Sequence, residues 1–334
     1  MTSDSAIWDV WLSHYHYPTL ACADELGLFA ALEAGPLPGA ELRSRLRLAS
    51  RPFDIVAGMM VALGFLACER GSYGLTDVAR AYLCPSAPAY WGPAFRSRRS
   101  VLQDQILAAL RSDDAPGIEW GASLSQLWSS GSMAADTSRA FIAAMHAQSA
   151  GPAAALAALP VFRDVRRVLD VAGGSGVFAM RLAERHAHLE AAVLELPVTA
   201  PLTRERTASS PAARRIQVIE ADAFNDEWPV GHDAVLLSNV LHDWGPDKCR
   251  LLARRAFASL PPGGRILIHE MLLEPGRAAP LAAVCFSMAM LVQTEGKQYA
   301  LADLEDILGS AGFRGIEARP ALGYFSLVSG GRPR

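Results

Sequence analysis

Residues 166–176, RRVLDVAGGSG, constrain this chain more than any other stretch. A short apolar run ends on Asp170 and passes into three glycines. Residues 177–186 then continue at helical spacing. Glycine permits the tight turn and the close backbone approach that such a junction needs. A strand feeding a helix in this way opens a parallel βαβ unit, and the helix N-terminus offers free N–H groups to a negative ligand group.

The pattern repeats through the rest of 164–334. Strands are expected over 189–196, 217–222, 233–240 and 265–273. Helices are expected after Pro197, over 246–259, and near 281–292 and 301–311. Two further strand-like runs in 316–328 meet around Gly323. Strand and helix alternate, so the fold class is α/β, a Rossmann-like domain with a largely parallel sheet. Ligands of such sheets sit at the carboxyl ends of the strands.

Residues 1–110 read differently. Helices at 23–32, 41–48 and 53–66 precede a small hairpin at 68–76, which is a winged-helix order. Charge argues against DNA binding there, since residues 1–90 carry six Arg against nine Asp and Glu. The helix that would enter a groove offers Met59, Met60, Val61, Leu63 and Phe65 rather than Arg or Asn. A structural or dimerisation domain fits better, with no nucleic-acid partner. Residues 111–163, including a mixed loop and helix segment over 120–158, are expected to link the two domains.

Composition bounds the remaining classes. With 334 residues, 51% hydrophobic and 19% charged, the chain can bury the cores of two domains and is neither disordered nor a stapled miniprotein. Its net charge is −3. The five cysteines are scattered without a CxxC pair, which points away from zinc and from a disulfide framework, and towards a reducing cytoplasm. The start lacks a basic and apolar leader. The longest uncharged stretch, 140–162, is interrupted by His146, Gln148, Gly151, Pro152 and Pro160, so no membrane span is expected.

Acids follow the glycine loop at informative distances. Glu195 comes nineteen residues after Gly176, at the end of the second strand, where a carboxylate can accept from a ribose diol. Asp222 and Phe224 end the third strand, an acceptor and a ring suited to an adenine. Gly174, Gly176 and Ala179 fit the dinucleotide fingerprint, so a nicotinamide oxidoreductase is one reading. S-adenosylmethionine is the other, and Asp170 together with the two later acids favours it. An ordinary strand–helix turn with surface acids is the third. His242 follows the fourth strand and Glu270 ends the fifth, both at the ligand end of the sheet. Imidazole suits proton removal near neutral pH, and a carboxylate at Glu270 could hold its other nitrogen. Trp244 could wall a purine or pack in the core.

Several stretches resemble the plant-type small-molecule O-methyltransferases and their bacterial relatives in antibiotic pathways. They are DVAGGSG, LELP, EADAF, SNVLHDW, LPPGGRILIHE, and TEGKQY before LEDILGSAGF, spread over most of 166–313. The resemblance implies S-adenosylmethionine as cofactor, held by Gly173 and Gly174 in the loop and Glu195 on the ribose. It puts Asp222 and Phe224 at adenine and Ser238 near the methionine end. It implies His242 as general base and Glu270 as its partner, with Phe141, Met145 and Gln293 facing an aromatic substrate. It implies a homodimer, and lets His14, Tyr15, His16 and Tyr17 reach a partner's pocket. Arg96, Arg98 and Arg99 read as a solvated face.

Departures from the family pattern are Ala172 where Gly is usual, Glu195 for Asp, and Ser238 where Lys or another polar residue is common. Gln298 stands where a second Glu is often found, and Glu295 lies three residues earlier. The implied reaction is methyl transfer to the oxygen of a small hydroxylated aromatic metabolite. A phenol has a pKa near 10, so a base is needed at neutral pH. Deprotonation also enriches the ring carbons, so C-methylation of a phenolic amino acid such as a hydroxykynurenine, hydroxyanthranilate or hydroxytyrosine is the alternative.

Overall fold

The computed structural model describes residues 2–116 and 122–334. Trp120, where the mixed segment was expected to begin, lies outside the described residues. From Leu124 onward that segment is helical, Leu124–Ser130 and then the long helix Ala135–Ala157, which carries Pro152 inside it. The contacts divide the chain differently from the linear blocks 1–110, 111–163 and 164–334. One unit is Ala6–Leu124 with Leu273–Gln298, and the other is Met1–Ser5, Ser125–Leu272 and Tyr299–Arg334. Residues 273–298, expected in the last block, therefore belong with the N-terminal elements.

The N-terminal unit holds helices Gly39–Leu46 and Ser50–Ala62 and a small antiparallel sheet of strands β1 (Leu37–Pro38), β2 (Leu66–Glu69) and β3 (Ser72–Leu75) in the order β1-β3-β2. Here the winged-helix expectation is met. The single helix expected at 23–32 is instead two, His16–Glu25 and Leu28–Ala31, because Gly27 takes a left-handed φ of 75° between them. Glycine adopts that conformation without the Cβ clash other residues suffer, so apolar spacing continues across a break in the backbone. Helix Leu281–Gln293 is buried on nearly every side, as its apolar composition requires.

The second unit is built on seven strands. They are β4 (Arg167–Val171), β5 (Glu190–Glu195), β6 (Ile216–Glu220), β7 (Ala234–Ser238), β8 (Arg265–Met271), β9 (Arg314–Pro320) and β10 (Phe325–Gly331). Their order is β6-β5-β4-β7-β8-β10-β9. β4 to β8 are parallel, and β10 returns antiparallel between β8 and β9. Side chains alternate across the sheet at period two. Leu169, Val171, Val235, Leu237, Ile266 and Ile268 pack with helices Pro246–Ser259 and Leu301–Ala311. Val168, Val193, Ala234, Leu236 and Leu267 face the other way, onto helix Val177–Arg185 and the end of Ala135–Ala157. This is a doubly wound Rossmann-like α/β layer structure.

The strand order reverses between β4 and β7, where such sheets leave a crevice at the carboxyl ends. Both strands end there in the same unusual way. Ala172 follows β4 with φ 53°, and Asn239 follows β7 with φ 53°, both non-glycine residues in the left-handed region. No helix of the described residues is long and apolar enough to cross a membrane.

Candidate active site

The glycine loop after β4 shows why each position is what it is. A Cβ on Gly173 would sit 2.6 Å from Asp170 Oδ2 and 2.8 Å from Val193 Cγ1, so only glycine fits. Gly174 has room for a side chain, but its φ is 56°. Its amide donates to Glu195 Oε1 at 3.1 Å, and its carbonyl accepts from Thr203 Oγ1 at 2.6 Å. Ser175 Oγ lies 3.0 Å from His146 Nδ1, which ties the loop to helix Ala135–Ala157. In the sequence His146 stands out only as a residue interrupting an uncharged stretch.

Two buried acids flank this loop. Asp170 is fully buried, and among the described residues neither carboxyl oxygen has a hydrogen-bond partner. Burial pushes its pKa up to about 7, and the Glu195 charge adds to the rise. The Ala179 amide works the other way without reaching hydrogen-bond geometry. Glu195, at the end of β5, also accepts the Leu196 amide, yet burial still raises its carboxyl to about 7. A hydroxylated ligand with a cationic end would relieve both groups, by donating to Glu195 and by compensating the charge that burial disfavours at Asp170.

Beyond β6 the chain forms a turn organised by Asp222. Its carboxylate accepts the Phe224 amide at 2.8 Å and Asn225 Nδ2 at 2.6 Å. Phe224 meets Trp244 edge-on at 4.7 Å. Trp244 lies 6.0 Å from Trp128, and Trp128 lies 5.9 Å from Phe141. An unbroken aromatic row therefore runs from the end of β6 to the long helix, where Met145 sits one turn beyond Phe141, half-buried like it. Lys248 Nζ stands 4.4 Å from the Trp244 ring centre.

The end of β7 is held by the end of β8. Ser238 pairs with His269 in register, and its Oγ lies 2.9 Å from His269 Nδ1. The Asn239 amide donates to the His269 carbonyl at 3.0 Å. Glu270 Oε1 accepts the amides of Val240, Leu241 and His242 at 3.3, 2.8 and 3.2 Å. Two residues of β8 thus position five consecutive residues, ending on His242.

This corrects the expectation for Glu270. Its second oxygen, Oε2, has no hydrogen-bond partner among the described residues, and Oε1 accepts backbone amides, so the carboxylate holds the backbone of the turn and not the imidazole. The geometry explains why. Val240, Leu241 and His242 enter a short 3-10 turn whose first amides have no intrahelical acceptor, and a buried carboxylate at the neighbouring strand end supplies one. Burial nonetheless raises Glu270 to about 7 against those three amides. His242 itself is buried, 4% exposed. Its Nε2 lies 3.7 Å from Asp243 Oδ1, within Coulomb reach of an imidazolium but long for a hydrogen bond. Asp243 is pushed well up by burial and by the Glu270 charge.

The remaining expected residues belong to the N-terminal unit. Gln293 ends helix Leu281–Gln293, with Nε2 3.5 Å from Tyr15 Oη. Tyr15 is buried, and its ring centre lies 4.0 Å from that of His14 with the planes tilted by 40°. Arg51 donates to the carbonyls of Thr294 and Gly296 and so fixes the backbone on both sides of Glu295. Gln298 is buried, its amide donating to Ser287 Oγ at 3.1 Å. In the basic run, Arg96 and Arg99 are paired to Asp24 and Glu25.

Comparison with known proteins agrees with this arrangement. Residues 105–314 match the O-methyltransferase domain, and residues 8–85 match the O-methyltransferase dimerisation domain. A 3-hydroxy-5-methyl-1-naphthoate 3-O-methyltransferase from Streptomyces sahachiroi is 36% identical over 306 residues, 88% of this chain and 85% of that enzyme. An L-tyrosine C(3)-methyltransferase from Streptomyces lavendulae is 30% identical over 90% of this chain and 84% of that enzyme. The crystal structure of an O-methyltransferase family 2 protein from Planctomyces limnophilus, in complex with apigenin, superposes with a TM-score of 0.88 at 26% identity, covering 99% of this chain and 96% of that one. The chain belongs to the O-methyltransferase family and is an S-adenosylmethionine-dependent methyltransferase.

Proposed function

We propose that this enzyme methylates the phenolic oxygen of a small hydroxylated aromatic metabolite, with His242 as general base. The observation that carries the reading is the turn Val240–His242, pinned by Glu270 beside the switch point of the sheet. When bound, S-adenosylmethionine supplies a methyl carbon made electrophilic by its sulfonium. In this reading Gly173 and Gly174 bring the backbone close to it, Glu195 accepts from the ribose, Asp222 and Phe224 meet the adenine, and Ser238 meets the methionine end. Asp170, buried with no hydrogen-bond partner among the described residues, lies behind the loop and takes up negative charge against the cofactor's cationic end.

His242 removes the phenol proton as the oxygen attacks, a contribution of roughly 10² to 10⁴ in rate. The rigid turn keeps the imidazole aligned, which adds the benefit of orientation. Phe141 and Met145, one turn apart on the long helix, offer an apolar face to an aromatic ring. The hydroxynaphthoate relative at 36% identity supports an aromatic hydroxyl as acceptor. The match of residues 8–85 supports a homodimer.

A second reading keeps the same residues and moves the methyl to a ring carbon. The relative named as a tyrosine C(3)-methyltransferase favours it. Incubation with methyl-labelled S-adenosylmethionine and a panel of hydroxynaphthoates, hydroxyanthranilates and tyrosine derivatives tests both. The proposal expects label in a methoxy resonance. An aryl methyl resonance favours the second reading, and no transfer to any phenol contradicts both.

A further inference from the structure

We propose that His269 is a positioning residue that fixes Ser238 as a hydrogen-bond donor to the carboxylate of the cofactor's methionine end. The inference rests on the reading that Ser238 meets that end.

His269 follows the aliphatic residues Ile266, Leu267 and Ile268 in β8 and precedes Glu270. It is fully buried, stacked on Phe325 at 4.9 Å and 11°, with Phe178 at 5.3 Å. A polar ring in such surroundings is costly unless its nitrogens are satisfied. One is: Nδ1 lies 2.9 Å from Ser238 Oγ. The other, Nε2, has no partner among the described residues. Burial drives the imidazole pKa down to about 3, so the ring is neutral at working pH and carries one proton.

The orphaned nitrogen decides where that proton resides. With the proton on Nε2, a buried N–H donor is left without an acceptor, which costs about 1–3 kcal/mol. Orphaned donors are rarer in proteins than orphaned acceptors. The proton therefore sits on Nδ1 and is donated to Ser238 Oγ. The serine O–H is then released to donate elsewhere, and the imidazole behind it holds the oxygen in place. Ser238 ends β7 at the switch point, and its oxygen is bound on the His269 side. A hydroxyl committed as donor at this place suits an anionic oxygen and repels an ammonium. Of the two charged groups on a methionine end, it selects the carboxylate.

The test measures binding, not turnover. Titration calorimetry compares S-adenosylhomocysteine with its decarboxylated analogue, which keeps the amine. The parent enzyme prefers the complete ligand. Ser238→Ala and His269→Leu are each expected to reduce that preference on the order of tenfold, the scale of one hydrogen bond to a charged group. Neither should change affinity for the decarboxylated analogue. His269→Asn, whose Nδ2 can replace the ring Nδ1, should restore most of the preference. The double variant should lose no more than either single one.

If Ser238→Ala leaves the preference intact, the reading of Ser238 fails and this inference fails with it. If Ser238→Ala lowers the preference while His269→Leu does not, Ser238 keeps its role and His269 has none. If His269→Leu weakens both ligands equally, the histidine only packs the sheet, and the inference is overturned.

Discussion

Glu270 Oε1 lies 3.2 Å from the backbone amide of His242, and it also holds the two amides before it. The end of β8 therefore sets the position of the imidazole through the main chain. The arrangement requires an acceptor at Glu270, and the charge is secondary. Glu270→Gln keeps a carbonyl there and should retain kcat within about tenfold of the parent. Glu270→Ala strands three buried amides, each costing about 1–3 kcal/mol. It should lower the melting temperature by many degrees and kcat by at least a hundredfold. Steady-state kinetics and thermal melts of the two variants separate an acceptor role from a charge role.

Stability should depend on pH through the same residue. Burial raises Glu270 to about 7, while an unfolded glutamate titrates near 4.3. Between those values the folded protein binds the extra proton, so stability falls as pH rises through that window. Gln at 270 does not titrate. The melting temperature of Glu270→Gln minus that of the parent should therefore become more positive from pH 5 to pH 7.5, without cofactor, and then level off. A difference independent of pH would show that the carboxyl is not raised.

Adjacent positions of the glycine loop should respond in opposite ways. Ala172 has φ 53°, a conformation costing a non-glycine residue about 1–2 kcal/mol. Ala172→Gly relieves that strain but adds freedom to the unfolded chain, worth about 0.4–1 kcal/mol. The net change should be neutral to slightly stabilising, with cofactor affinity preserved. Gly173→Ala would force a Cβ to within 2.6 Å of Asp170 Oδ2. That variant should melt several degrees lower and bind S-adenosylhomocysteine at least tenfold more weakly. Differential scanning fluorimetry with and without the ligand reads both.

An exposed apolar stripe marks the first helix, Ser5–Leu12. Ile7, Val10 and Trp11 are 74%, 75% and 41% exposed, at spacings that bring them onto one face. Such a patch is characteristic of a protein contact. With the dimerisation-domain match it predicts that Ile7→Glu with Val10→Glu shifts the protein from dimer to monomer in light scattering. An unchanged dimer mass would place the contact elsewhere.

The sequence made some of this legible and hid the rest for identifiable reasons. The strand–glycine–helix junction at Asp170–Gly176 and the acid ending β5 were readable because turn chemistry and spacing are local. G-x-G-x-x-A alone does not separate two adenosine-containing cofactors, since both use the same turn. The break at Gly27 was invisible to apolar spacing, which continues through it. Glu270 was readable as a strand-end acid, but not its target. That depends on the register of β7 against β8 and on the turn that follows, both set by tertiary packing. In the sequence alone His269 reads as one residue of a strand. The signal in the sequence is a histidine directly after the aliphatic run Ile266–Ile268, while its pairing with Ser238 is set by the sheet register.

The central claim is that His242 takes the acceptor's proton, and one variant tests it most directly. His242→Ala, measured beside the parent for kcat with a methylated phenol product and for S-adenosylhomocysteine affinity by calorimetry, should lose roughly 10² to 10⁴ in kcat with affinity nearly unchanged. Full activity in that variant, or a loss of activity matched by an equal loss of cofactor affinity, would contradict the account.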